Sequence, residues 1–206
     1  MSESRKTHWE HVYATRSPEE VSWYLPVPAR SLAFIQATGE PLTAPILDVG
    51  GGASTLVDHL LRAGYRDVSV LDIAAGALAH ARARLGAQAD CVNWIEADVL
   101  RFESARPMAI WHDRAVFHFL TSVEDRERYL KVLARTLRSG GHFLVATFGP
   151  EGPTRCSGLA VQRYSEREIS ALLGPAFLLR AHSLEEHRTP AGAAQQFQYG
   201  WWQKAA

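Results

Sequence analysis

The chain has 206 residues, of which 47% are hydrophobic and 21% are charged. This length predicts one domain, and the composition is typical of a folded globular protein rather than a disordered chain or a disulfide scaffold. Lysine plus arginine equal aspartate plus glutamate at 22 each, and the basic residues are scattered, which argues against a nucleic-acid or anionic-membrane partner.

Targeting and redox signals are weak in this sequence. No apolar run approaches the ~18 residues of a membrane span, and the N-terminus has no apolar signal core. The two cysteines, Cys91 and Cys156, lack the spacing of a disulfide framework or a C-x-x-C motif. We therefore expect a cytoplasmic monomer or homodimer with free thiols, bound neither to a membrane nor to nucleic acid.

Short apolar runs alternate with amphipathic stretches over the first three quarters of the chain. The patterns predict strands at 46–49, 68–73, 91–98, 107–113 and 142–148, and helices at 28–38, 53–65, 74–86 and 122–141. The helix at 122–141 has the clearest signal, with Ser122 at its start and a glycine pair at its end. Strands that alternate with helices predict parallel pairing through crossover connections, and hence a doubly wound α/β sheet.

The last quarter of the chain has a different pattern. Residues 149–164 read as a loop, and 165–174 as a short helix capped by Ser165 with Glu168 three residues later. Two strand-like runs follow, joined by the short segment "TPAG". Because that connection is too short for a crossover helix, the two runs should pair antiparallel as a hairpin at one edge of the sheet.

The stretch "PILDVGGGAS" at 45–54 places Asp48 and three glycines after the first strand. In a doubly wound sheet, ligands bind beyond the carboxyl ends of the strands, at such a turn. A phosphate-binding P-loop would need Gly-Lys after the glycines, and a G-x-G-x-x-G dinucleotide motif would need glycine where Thr55 stands. S-adenosylmethionine suits the pattern better, because an acid beside the turn can accept hydrogen bonds from its ammonium group.

Two more acids end the next two strands. Asp72 lies about 20 residues after the glycines, where a carboxylate can accept hydrogen bonds from both ribose hydroxyls. Asp98 ends the third strand, where a side chain can meet an adenine amino group. Any one of these acids is equally consistent with a helix cap, but three at successive strand ends indicate one shared ligand.

Four segments together resemble the class I, Rossmann-like S-adenosylmethionine-dependent methyltransferases: "ILDVGGGAS" (46–54), "VLDI" (70–73), "EADV" (96–99) and "LRSGGHFLVATF" (137–148). The resemblance implies a seven-stranded, mostly parallel sheet in the order 3-2-1-4-5-7-6, with the last strand antiparallel and helices on both faces. It also implies one domain over 1–206, with an N-terminal cap segment (1–40), a cofactor-binding core (45–148), and an acceptor-side loop and edge hairpin (149–206). The implied cofactor-binding residues are Asp48, Gly50, Gly51, Gly52, Ser54, Asp72, Ile73, Asp98, Val99 and His112.

Methyl transfer from a sulfonium is an in-line displacement, which requires alignment and, for some acceptors, a base, but no metal. The acceptor should lie beside "WHDRAVFHFL" (111–120), and His112, Asp113 and His118 are candidate general bases. The structural alternatives are that Asp113 caps a turn, that Arg114 pairs with an acid, and that His118 packs under the cofactor. The signature Asn/Asp-Pro-Pro-Tyr is absent, which argues against nucleobase or glutamine N-methylation.

Two further segments should cover the site. The segment 8–28 contains four aromatic residues, Trp9, Tyr13, Trp23 and Tyr24, which can hold a sulfonium or simply pack on the sheet. The loop 149–164 should face the acceptor, with Cys156 either incidental or a ligand for a soft metalloid. The candidate acceptor-binding residues are Trp23, Tyr24, Arg114, Cys156 and Arg163.

These patterns predict a methyltransferase that uses S-adenosylmethionine and acts on a small molecule or a protein side chain. Two alternatives stay open at this point. One is a nicotinamide-dependent oxidoreductase, which Asp72 allows but Thr55 and Asp48 do not favour. The other is a noncatalytic protein that kept the fold and the cofactor pocket.

Overall fold

The computed structural model describes residues 2–206, with side chains from Arg5 onward. The strands are β1 (Ile46–Val49), β2 (Val68–Asp72), β3 (Val92–Glu96), β4 (Met108–Arg114), β5 (Leu137–Phe148), β6 (Arg155–Cys156), β7 (Leu159–Ala160), β8 (Phe177–Arg188) and β9 (Ala194–Lys204). The α-helices are α1 (Ser2–Thr15), α2 (Ala29–Ala37), α3 (Leu56–Arg62), α4 (Ala75–Leu85), α5 (Val123–Thr136) and α6 (Glu166–Leu173). No α-helix in the described part of the chain is both long and apolar enough to cross a membrane.

Seven strands form one sheet in the order β3-β2-β1-β4-β5-β9-β8. The first five pair parallel, and β9 pairs antiparallel with both β5 and β8. Since β8 and β9 are the sixth and seventh strands of this sheet, the predicted order and the reversed last strand are confirmed. All four residues of β1 are buried, because helices cover both faces of the central strands.

Successive side chains on a strand point to opposite faces, so the sheet separates two cores. On one face Ile46 and Ile110 pack with Ile35 of α2 and Leu60 of α3. On the other face the core contains, among others, Leu47, Trp111, Tyr129, Leu133 and Ile169, from the central strands and from α5 and α6. This alternation decides which strand-end side chains lie near one another.

Helix α5 ends earlier than the sequence predicts. The predicted helix continued to residue 141, but α5 ends at Thr136 and Leu137 already pairs with Met108 as the first residue of β5. The pairing then shifts register before it resumes between Ile110 and His142. Gly140, at φ 70°, lies inside this irregularity, so the glycine pair serves a bulge rather than a helix end.

The helix α1 and the hairpin of β6 and β7 were not predicted. Residues 2–15 form α1, although their sequence has little helical periodicity. Strands β6 and β7 form a hairpin inside the predicted loop 149–164. Its turn residues, Ser157 and Gly158, have φ 47° and 80°, as a two-residue hairpin turn of the primed type requires.

Candidate active site at the carboxyl ends of the central strands

The three glycines after β1 form a bend that has no room for side chains. Gly50 has φ 66°, and its N–H donates to the carbonyl of Leu71 at 2.7 Å. A Cβ on Gly52 would lie 2.5 Å from Oδ2 of Asp72, and a Cβ on Gly51 would clash with Oδ2 of Asp48. Two carboxylates thus press against the backbone of one glycine bend, and any larger residue would displace them.

Asp48 is buried, and only one of its two carboxylate oxygens has a hydrogen-bond partner among the described residues. Its Oδ1 lies 2.7 Å from Nδ1 of His112, whose Nε2 lies 2.8 Å from the Ser31 hydroxyl. Its Oδ2 has no hydrogen-bond partner among the described residues. A buried carboxylate oxygen without a donor is costly, so this atom marks a place where a ligand with N–H groups would fit.

Asp72 ends β2 beside the same bend. Burial raises its pKa to about 7, which outweighs the opposing effect of the backbone N–H groups of Ala74 and Ile73. The Ala74 N–H donates to Oδ1 at 2.9 Å. The carboxyl group therefore stays partly protonated near neutral pH, and a ligand that donates hydrogen bonds to it would favour the ionised form.

Asp98 follows the carboxyl end of β3, where it both caps a short helix and lines the main cavity. Its Oδ1 accepts the N–H of Leu100 at 2.9 Å and so caps the short 3-10 helix Val99–Arg101. Asp98 also lines the main cavity together with Val99. The cap that the sequence left open as an alternative is therefore present, and it does not remove Asp98 from the cavity wall.

Two adjoining cavities lie over these strand ends. The predicted residues on the wall of the main cavity are Gly50, Asp72, Ile73, Asp98, Val99, Trp23, Arg114 and Cys156. The second cavity is lined by the predicted residues Asp48, Gly50, Gly51, Ser54, His112, Trp23, Tyr24 and Arg114. Gly50, Trp23 and Arg114 are common to both walls.

Asp113 does not face either cavity. It follows His112 on β4 and therefore points to the opposite side of the sheet, where it is fully buried. Its carboxylate accepts the N–H groups of Val116 and Phe117 and the hydroxyl of Tyr129. These bonds hold the turn after β4, which agrees with the turn cap that the sequence left open as an alternative, and a general base at Asp113 stays a prediction.

His118 is also enclosed by the protein. Its Nδ1 accepts the N–H of Phe148 at 3.2 Å, and its ring packs against Phe119 and Phe148. Burial, with a smaller contribution from the Arg114 charge, lowers its pKa to about 3. His118 lies on neither cavity wall, which agrees with the packing alternative, and a general base at His118 stays a prediction.

His112 lies on the wall of the second cavity, but both its ring nitrogens are already engaged by Asp48 and Ser31. This arrangement fixes the ring and orients the Asp48 carboxylate. Arg163, which lies on neither cavity wall, donates from Nη1 to the carbonyl of Gly152 at 3.3 Å. Gly52 lies on neither wall and contributes through the bend itself.

Helix α1 covers the main cavity. Trp9 and Tyr13 line its wall, as the aromatic content of segment 8–28 indicated. The two oxygens of Glu10 accept the N–H groups of Ala75 at 2.7 Å and Gly76 at 3.2 Å, at the N-terminus of α4. The carbonyl of Tyr13 lies 3.2 Å from Nε2 of His80.

The sequence did not predict that Glu10, Ser31 and Phe119 belong to the site. Phe119 lies on the main cavity wall. Glu10 and Ser31 reach partners 65 and 81 residues away along the chain. No local sequence pattern predicts contacts between residues this far apart along the chain. The aromatic run "FHFL" at 117–120 was the one available signal for Phe119.

Comparisons with known proteins agree with this geometry. Residues 46–141, from β1 to the start of β5, match a family model described as a methyltransferase domain. This match is consistent with the resemblance of the sequence to the class I S-adenosylmethionine-dependent methyltransferases. Proteins of this class use S-adenosylmethionine as the methyl donor.

Several solved structures have a fold similar to that of this chain over nearly all of its length. The N-methyltransferase NodS from Bradyrhizobium japonicum WM9, in complex with S-adenosyl-L-homocysteine, has a TM-score of 0.74 and 14% identity, covering 98% of both chains. A SAM-dependent methyltransferase from Anabaena variabilis ATCC 29413 has a TM-score of 0.75 and 17% identity, covering 98% of this chain and 94% of that one.

A third structure, from work on the conversion of a disulfide bond into a thioacetal group during echinomycin biosynthesis, has a TM-score of 0.78 and 16% identity. It covers 97% of this chain and 91% of that chain. Identities this low establish the fold and nothing finer. A search of the curated proteins found no match.

Proposed function

We propose that the methyltransferase domain binds S-adenosylmethionine across the glycine bend and transfers its methyl group in line to a small-molecule acceptor. The observation that supports this most is the unpartnered, buried Oδ2 of Asp48, beside glycines that leave the main chain open. In this proposal Asp48 accepts from the ammonium group, Asp72 accepts from the ribose hydroxyls, and Asp98 lies beside the adenine.

The cofactor, when bound, supplies an activated methyl group on a sulfonium, so the protein supplies position and enclosure. Asp48, held by His112 and Ser31, fixes the polar end of the ligand. Trp9, Tyr13 and Trp23 cover the cavity and exclude water from the reacting atoms.

A small molecule is the acceptor that this enclosure favours. Aromatic side chains of α1 and of the segment after it form the wall opposite the strand ends. Trp9 lies edge to face with both Trp23 and Phe119, at 5.7 and 5.0 Å between ring centroids. A protein side chain would have to enter through this aromatic cover. An exposed lysine or arginine of a partner protein therefore fits the site less well as the methyl acceptor.

The proposal is tested first by binding. Isothermal titration with S-adenosylhomocysteine should give a saturable heat, whereas NAD⁺ and NADP⁺ should give none. Binding of the nicotinamide cofactors alone would overturn the proposal in favour of an oxidoreductase.

Transfer is tested second, with tritiated S-adenosylmethionine and a panel of small molecules and peptides. Label should appear in a small-molecule acceptor. Tight binding of S-adenosylhomocysteine without transfer to any member of a broad panel would instead support a noncatalytic binding protein.

A further inference from the structure

Arg114 is held rigidly where the two cavities meet. Its Nε donates to the Tyr199 hydroxyl at 3.0 Å, and its Nη1 donates to the carbonyl of Trp23 at 2.7 Å. Its guanidinium lies over the ring of Phe197, 4.6 Å from the centroid. These contacts fix the group in one orientation without neutralising its charge.

The positive charge of Arg114 has no counterion in the described part of the chain. None of the ion pairs formed by described residues includes it. Its Nη2 is buried and makes no hydrogen bond with any described residue. Arg114 as a whole is half-buried, but leaving the N–H groups of its buried Nη2 without an acceptor is costly, and an anion would satisfy them.

Two titratable side chains on the main wall are not bases. Besides Arg5 and Arg114, the titratable side chains on this wall are Tyr13, Asp72, Asp98 and Cys156. Burial raises the pKa of Tyr13 and that of Cys156, the latter to about 11, so both stay protonated at neutral pH. Asp72 is held at the end of β2 by the Ala74 N–H. Neither Tyr13 nor Cys156 can therefore take a proton from an acceptor at Arg114.

The rest of this end of the cavity is aromatic and apolar. Trp9, Trp23 and Phe119 form the edge-to-face cluster, and Val116 and Leu120 extend it. Such walls select planar aromatic molecules over flexible or strongly hydrated ones.

We infer that the methyl acceptor is a planar aromatic molecule that binds as its anion, with its ionised oxygen or sulfur against the free N–H of Arg114. This rests on the proposed function and deepens it. The ionised atom forms the new bond to the methyl carbon, while the carbon–sulfur bond breaks and its electron pair stays on sulfur. The product is neutral, no proton needs to be removed, and the loss of charge weakens the hold of Arg114 on the product.

The test compares 4-nitrophenol with 4-nitroanisole, its neutral methyl ether, on protein saturated with S-adenosylhomocysteine. At a pH where the phenol is ionised, the phenolate should bind about 10- to 100-fold tighter than the ether, as expected for a charge-assisted hydrogen bond. The absorbance shift of the phenolate on binding reports its environment directly. Equal affinities, or no binding of the phenolate at millimolar concentration, would overturn the inference.

Three variants sharpen the test. Arg114→Gln should remove the preference for the phenolate, Arg114→Lys should keep part of it, and Arg82→Gln, an exposed arginine on α4, should leave it unchanged. Circular dichroism and the melting temperature show whether each variant folds. Should Arg114→Gln fail to fold, the phenolate preference of the native protein and of Arg114→Lys still decides the inference.

A further measurement separates an acceptor site from a site for the carboxylate of the cofactor. The ratio of affinities for S-adenosylhomocysteine and for 5′-methylthioadenosine, which lacks the amino acid part, should be the same in Arg114→Gln and the native protein. A collapse of that ratio would assign Arg114 to the cofactor and overturn the inference. Failure of the native protein to bind S-adenosylhomocysteine would instead refute the proposed function itself.

Discussion

His112 and Asp113 are neighbours in the chain, yet they belong to opposite faces of the sheet. His112 meets Asp48 and Ser31 on the face covered by α2, and Asp113 meets Tyr129 of α5 on the other. Because side chains alternate along a strand, only one of two adjacent residues can take part in the site. In this protein it is the histidine, acting through the carboxylate that it orients.

The structural role of Asp113 predicts a stability effect. Asp113→Ala leaves two buried N–H groups and a buried hydroxyl without an acceptor, so the free energy of unfolding should fall by about 2–4 kcal/mol. Denaturant unfolding measures this, with Asp90→Ala, at an exposed position, as the control. Unchanged stability together with lost methyl transfer would support Asp113 as a base.

Removal of the Asp72 charge should have opposite effects on the stability of the protein and on ligand binding. Its pKa is about 7 in the folded protein and near its ordinary 3.8 in the unfolded chain. The folded state therefore binds the extra proton between these values, so this group costs stability progressively as the pH rises through that window. Asp72→Asn should raise the melting temperature of the ligand-free protein above pH 7, by about 2–4 °C per kcal/mol gained. No gain would mean that the carboxylate is not destabilised by burial.

The same substitution should weaken ligand binding. Asp72→Asn loses charge-assisted hydrogen bonds to the ribose, so its affinity for S-adenosylhomocysteine should fall about 10- to 100-fold. In the native protein the affinity should rise as the pH increases through about 7, because the ionised carboxylate is the better acceptor. Calorimetry over that range checks both points. Native-like affinity and pH dependence in Asp72→Asn would remove Asp72 from the ribose site.

At the scale of elements, α1 is attached to the domain through polar contacts and through a small apolar cluster of Tyr13 with Ala53, Ala74 and Ala77. Arg5 pairs with Asp125 and Lys6 with Glu96, while Glu10 holds the N-terminus of α4. The last contact is favoured by the helix dipole as well as by two hydrogen bonds. An element held in this way can detach without disturbing the core.

We expect Glu10→Ala to loosen α1 selectively. Amide hydrogen exchange over 2–15 should become faster and S-adenosylhomocysteine should dissociate faster, while exchange in β1 and β4 stays the same. Glu19→Ala, at an exposed position, is the matched control. If the two variants behave alike, Glu10 does not anchor the helix.

For the whole molecule, the crevice is built from the ends of four strands, so a ligand bound there should stabilise the entire sheet. At about 100 times its dissociation constant, S-adenosylhomocysteine should add about 2.7 kcal/mol to the free energy of unfolding. The melting temperature should then rise by about 5–10 °C in a single transition. Stabilisation confined to one region, or a second transition, would contradict a crevice shared by the whole sheet.

Much of this molecule is determined by local sequence patterns. Buried strands such as "ILDV", the glycine bend after Asp48 and the capping box at Ser165 and Glu168 follow from periodicity and backbone chemistry, which act over a few residues. The strand order follows from alternating strands and helices together with a short final connection. These features could be predicted, and the structure agrees with them.

Only the tertiary structure decided which side chains meet. The links from Ser31 to His112, from Glu10 to the N-terminus of α4, and from Arg114 to Trp23 and Tyr199 join segments 65 to 91 residues apart. Because successive side chains on a strand point to opposite faces, His112 and Asp113 lie on different faces of the sheet. This alternation does not determine which face holds the ligand. That choice depends on which helices pack on each face, which is a property of the folded chain rather than of any segment. The folded chain buries Asp113 and His118 in structural contacts and leaves Nη2 of Arg114 without a hydrogen-bond partner among the described residues.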